Sequence, residues 1–220
     1  MHRFTAPALT VLTAAAVALM TACAPSEKAP EAAPEPAAAL PAEPSGPASR
    51  QAYFGDLHIH TQYSFDAFIF NVRATPDDAY KFARGEAIDH PAGFKIQLQS
   101  GPLDFAAVTD HSEYLGVMPA VNDPDNKLYG LEIAKELRGE TGLSRREAFQ
   151  RLLPEMSAGR PVPELYDAEV MRSAWSEMVA SAERNNEPGK FTTFIGYEYT
   201  SAPDMQNLHR NVIFRSGKAP

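Results

Sequence analysis

The chain has 220 residues, 44% of them hydrophobic, with a formal net charge of −8 and no basic cluster. That length is enough for one domain with a sizeable core, and the charge balance argues against a nucleic-acid partner. Cys23 is the single cysteine. An intramolecular disulfide is therefore excluded, and any metal must be held by histidine, aspartate or glutamate.

Taken in order, Met1-His2-Arg3 and the apolar run from Ala6 to Ala22 read as a secretory signal over residues 1–22. The run is short for a membrane-spanning helix and no stop-transfer pattern follows. Met20-Thr21-Ala22-Cys23 resembles a bacterial lipobox, which makes Cys23 the expected lipidation site. Acyl chains there would anchor the protein firmly, since each buried methylene contributes about 0.8 kcal/mol. The expected location is the bacterial cell envelope, with Ala24 after the cysteine favouring the outer membrane. Plain secretion or a periplasmic location is the alternative. Residues 23–51 are mostly Ala, Pro, Glu and Ser, with too little apolar surface to offset ordering entropy, and are expected to form a disordered tether.

The folded part is expected over residues 52–220. Tyr53 to Ile59 reads as a strand by alternation and aromatic content. Thr75-Pro76-Asp77-Asp78 is a helix start, with Thr75 as N-cap, Pro76 in the first turn and a helix to about Glu86. Asp89 to Pro102 reads as a loop or small hairpin around Phe94 to Leu98. Leu103 to Val108 is a buried parallel strand delivering Thr109-Asp110-His111 to a rim. Helices are predicted over Lys127–Arg138, Ser144–Leu153 and Asp167–Arg184. Ser144 and Glu147 form a capping box, and Trp175 lies on the apolar face with Met171 and Met178. Phe191 to Tyr197 is a further strand ending at Glu198, and Arg210 to Phe214 a last one. Strands alternating with helices predict an α/β fold with a parallel sheet.

The chemistry centres on Asp56-Leu57-His58-Ile59-His60-Thr61, followed by Ser64 and Asp66. A strand's period of two puts His58 and His60 on one face, with Asp56 placed to orient one of them and Asp66 one loop away. The later strands deliver Asp110 and His111, then Glu198, to the carboxyl-end rim where α/β sheets assemble sites. His209, at the start of the last strand, is placed to approach from a loop. Imidazoles with bridging carboxylates have the composition of a site for two or three divalent ions such as zinc, manganese or iron.

Gly55-Asp56-Leu57-His58-Ile59-His60-Thr61 with Ser64 and Asp66 resembles the first motif of the PHP (polymerase and histidinol phosphatase) superfamily. Val108-Thr109-Asp110-His111 resembles its second motif, and Phe194-Ile195-Gly196-Tyr197-Glu198 its third. Longer stretches, among them Asn207-Leu208-His209-Arg210-Asn211-Val212, resemble the branch known as bacterial domain of unknown function thirty-six-oh-four. The resemblance implies a distorted (β/α) barrel and hydrolysis of phosphate esters by a metal-activated hydroxide, with small-molecule phosphate esters as substrates. It assigns His58, His60, Asp66, His111, Glu198 and His209 as metal ligands, with Asp66 standing where many relatives have histidine. Asp110 and Arg210 are the candidate catalytic side chains, Arg210 by adjacency to His209. Relatives carry further late ligands that do not follow His209, so the sequence is expected to be the N-terminal part of such a barrel. Two alternatives stay open: an amidohydrolase-like enzyme cleaving C–N or acyl ester bonds, or an inactive lipid-anchored metal-binding module.

Overall fold

A computed structural model of the chain describes residues 51–157, 160, 162–201, 206 and 208–220. The expected signal, Cys23 and all but Gln51 of the tether lie outside the described residues.

Strand β1 (Gly55–Ile59) is followed by a short helix α1 (Phe65–Ile69) and by α2 (Pro76–Ala83). The start of α2 follows from its sequence. Thr75 accepts from the Asp78 N–H, the Asp78 carboxylate returns to the Thr75 N–H, and Pro76 sits where no donor is needed. A hairpin of β2 (Ile88–His90) and β3 (Phe94–Ile96) turns through Gly93 at φ +88°. Strand β4 (Phe105–Val108) leads to helices α3 (Val117–Asn122), α4 (Glu132–Arg138), α5 (Arg145–Ser157) and α6 (Ala168–Asn185). The chain then forms β5 (Thr192–Ser201) and β6 (Leu208–Ile213).

The sheet order is β1-β4-β5-β6. The first three strands are parallel, in register from Phe105 against Thr192 to Val108 against Ile195. The last strand corrects the expectation of a parallel sheet, because β6 runs antiparallel to β5 and pairs Ser201 with Leu208. The link from β5 to β6 is too short for a helical crossover, which a parallel partner requires. His209 consequently lies within a strand and not in a loop. The sheet curls into a half-barrel, and the Asn211 side chain of β6 donates to the Leu57 carbonyl of β1 at 2.8 Å.

Alternation decides what each face does. Ala106, Val108 and Ile195 pack with Ala79, Tyr80, Met178 and Ala182 of α2 and α6, forming one core on the outer face. Glu198 and its same-parity neighbours are left to the inside of the curl. A second core joins Phe65, Phe68, Val117, Val121, Leu137 and Leu165 among the helices. Trp175 belongs to the outer face, edge-on to Tyr197 at 5.9 Å, and its indole N–H donates to the Pro220 carbonyl. Two helices differ from the sequence expectation. Helix α1 and helix α3 are not among the predicted helices, each being too short to show a helical period.

Candidate metal centre

Glu198 is the middle of the site. Its side chain is fully buried (0% exposed) on the inside of the curl, within β5 and beyond the stretch paired with β4, where an isolated parallel bridge pairs it with His111. A carboxylate in that position is costly unless positive or donor groups surround it. They do. His58 Nε2 lies 2.9 Å and His60 Nε2 2.6 Å from Glu198 Oε2, and His209 Nδ1 contacts Oε1. The imidazoles follow one another, with ring centroids 5.0 Å apart for His58–His60, 4.7 Å for His60–His111 and 5.3 Å for His111–His209.

Asp66 closes the other side. Its Oδ1 is 3.3 Å from His60 Nδ1 and its Oδ2 3.6 Å from His111 Nε2. Helix α1 begins one residue earlier, and its N-cap residue Ser64 is not used as a cap. The Ser64 hydroxyl instead accepts the His111 backbone N–H and approaches His60 Nδ1. Phe65 stacks flat on the His111 ring at 4.5 Å, fixing its plane.

The charges respond to this crowding. Burial works to raise the pKa of Glu198, but His111, His209, His58 and His60 outweigh it and hold the carboxyl below its ordinary value. Asp66 is half-buried, which works to raise its pKa, yet its hydrogen bonds to His111 and His60 keep it well below the usual carboxylate range. Burial pushes His60 down, while the Asp66 hydrogen bond and the charges of Asp66, Asp110 and Glu198 raise it overall.

Three overlapping triads have ligand atoms within 4.8 Å of one another: His58–His60–Glu198, His60–Asp66–His111 and His111–Glu198–His209. The Asp66 contacts of 3.3 and 3.6 Å match the edges of a tetrahedron with bonds of roughly 2.1 Å, which are about 3.4 Å, while His58 and His60 stand at hydrogen-bond distance from Glu198. Nitrogen and carboxylate donors without sulfur suit zinc, manganese or iron. The residues therefore fit one or more divalent ions, in groups that share Glu198, His60 and His111.

The other sequence candidates are placed differently. Asp110 is fully buried, and both its oxygens accept from Thr61, the N–H at 2.5 Å and the hydroxyl at 2.6 Å. It holds the turn between His60 and Asp66 in place. Asp56 accepts the His58 backbone N–H at 2.9 Å and orients no imidazole. Arg210 pairs with Tyr199 in the sheet, and alternation directs it to the face opposite His209. Among the described residues no lysine or arginine pairs with any of the six ligand candidates. Thr61, Ser64, Glu113 and Thr200 had no role in the sequence reading, yet they contact the site. Thr61 and Ser64 lie between His60 and Asp66 in the same string, and Thr200 follows Glu198 by one strand period. Nothing in the sequence distinguishes Glu113.

A family model described as "Protein of unknown function (DUF3604)" matches residues 47–220, and the chain belongs to that family. No curated protein and no solved structure matches it.

Proposed function

We propose that this protein is a metal-dependent phosphoesterase, its half-barrel forming part of a PHP-like (β/α) barrel. The observation that carries the reading is the buried Glu198 carboxylate, faced by His58 and His60 at one oxygen and His209 at the other. Such a carboxylate is placed to be shared between two cations. Divalent ions there would lower the pKa of water and offset charge on a phosphoryl oxygen. Glu198, His60 and His111 form the closed floor of the centre, with the half-buried Asp66 beside them. His58, with 55% of its side chain exposed, marks the mouth through which a substrate reaches it. No guanidinium or ammonium group among the described residues faces the floor, so a substrate's negative charge would be met by the ions. An amidohydrolase-like enzyme usually uses a bridging lysine as well, and among the described residues none pairs with the candidate ligands.

The test is metal content of the purified protein, followed by assays with p-nitrophenyl phosphate, bis(p-nitrophenyl) phosphate and p-nitrophenyl acetate under added zinc, manganese or iron. Phosphate-ester hydrolysis that disappears in His58→Ala and His60→Ala is the expected result. Cleavage of the acetate alone would favour the acyl-ester alternative, and bound metal without any hydrolysis a binding module. Folded protein that takes up no metal would overturn the reading.

A further inference from the structure

A neutral imidazole offers a metal one lone pair, and its other nitrogen carries a hydrogen that needs an acceptor. His111 stands in two of the candidate triads, so the position of that hydrogen decides which ion it serves. Its Nε2 faces Asp66 Oδ2 at 3.6 Å. Its Nδ1 lies 2.7 Å from Thr200 Oγ1, 3.8 Å from Glu198 Oε2 and 4.0 Å from Glu113 Oε2. Glu113 is held at one oxygen only. Its Oε1 accepts from the Ser112 hydroxyl at 3.1 Å and from the Thr200 backbone N–H at 3.2 Å. Among the described residues, Oε2 is the one buried side-chain oxygen or nitrogen without a hydrogen-bond partner. Such an atom is costly to leave unpaired, and it faces the Nδ1 edge of His111.

We propose that Glu113 and Thr200 are positioning residues for His111, an assignment that rests on the metal-centre reading above. The Thr200 hydroxyl accepts the His111 Nδ1–H, and Glu113 holds the Thr200 backbone in place while its second oxygen favours a hydrogen on Nδ1. The Nε2 lone pair is thereby directed to an ion on the Asp66 side. The alternative triad with Glu198 and His209 lies on the Nδ1 side, where the hydrogen excludes a metal bond.

The experiment measures cobalt binding to the full chain, by chelator competition and by the visible spectrum of bound cobalt. The variants are Glu113→Gln, Thr200→Val, Thr200→Ser and His111→Ala, and the melting of each metal-free form checks its fold. Glu113→Gln and Thr200→Val are expected to weaken the ion lost in His111→Ala by about 10- to 100-fold and to shift its spectrum. Thr200→Ser keeps the hydroxyl and should retain wild-type affinity and spectrum. If Glu113→Gln does not fold, Thr200→Val against Thr200→Ser carries the test alone. Wild-type affinity and spectrum in the folded variants, with an ion lost in His111→Ala, would overturn this assignment and leave the metal centre standing. A wild-type chain that binds no cobalt would overturn both.

Discussion

Asp110 illustrates how a residue beside a candidate metal centre can serve by holding it. Both its oxygens engage Thr61, and the carboxyl is sealed from solvent. Truncation to Ala leaves the Thr61 N–H and hydroxyl without an acceptor, so Asp110→Ala should lose about 1–3 kcal/mol in urea unfolding. It should also weaken metal binding, because the turn from His60 to Asp66 is released. Burial pushes the Asp110 carboxyl up to about 6, against the Thr61 hydrogen bonds. The folded-state value lies above the ordinary 3.8, so the protonated form is favoured by folding. Its contribution is full below the ordinary value and is lost as pH rises through about 6. Metal-free wild type should therefore lose stability relative to Asp110→Asn between those pH values, by at most about 3 kcal/mol. Parallel pH profiles for the two proteins would contradict this.

At the scale of elements, α2 and α6 are locked together through Asp77. Its Oδ1 accepts from the Ser181 hydroxyl at 2.8 Å and the Asn185 amide at 2.6 Å, and both its oxygens meet Arg184. Ser181 and Asn185 are buried, so Asp77→Ala leaves the Ser181 hydroxyl and one Asn185 N–H unpaired and should cost about 1–3 kcal/mol near neutral pH. Partial burial works to raise the Asp77 pKa, but the bonds from Arg184, Ser181 and Asn185 lower it overall. A depressed pKa stabilises above the unfolded value and loses that stabilisation as pH falls through the folded one. The gap between wild type and Asp77→Ala in urea unfolding should thus narrow below pH 4. A second contact of elements lies at Gly116, which enters α3 at φ +74° with an added Cβ only 2.5 Å from the Ala174 Cβ of α6. Gly116→Ala meets both a left-handed backbone and a clash. It should lower the melting temperature by several degrees, equivalent to about 1–3 kcal/mol.

For the whole molecule, the candidate ligands tie together pieces distant in sequence: β1, the start of α1, the end of β4, β5 and β6. A cation that binds the folded chain alone must stabilise it, by about 2.7 kcal/mol at a hundredfold excess over its dissociation constant. Zinc or manganese should therefore raise the melting temperature of the wild-type protein, and Glu198→Gln should abolish most of that rise. The stabilisation should shrink at acidic pH, because His60 is held above its ordinary pKa and must release its proton to become a ligand. An unchanged melting temperature with metal in excess would contradict the account.

Local rules written in short segments were legible in the sequence. The Thr75 N-cap, the Ser144–Glu147 box, the helix beginning near Asp167 and the apolar strand before His111 each depend on a few neighbouring residues, and the structure has all of them. The types of candidate ligand were legible as well, because histidine and carboxylate chemistry does not depend on the fold. What the tertiary structure alone decided were directions and partners over long separations. The antiparallel run of β6 moves His209 into a strand, where alternation brings it to Glu198 and turns Arg210 away. The pairing of Asp110 with Thr61, 49 residues distant, gives that buried carboxylate a holding contact. The sequence by itself determined which donors the chain carries and where its helices begin. Only the curl of the sheet determined which donors meet, because contacts between distant segments depend on strand direction and parity, which no local pattern encodes.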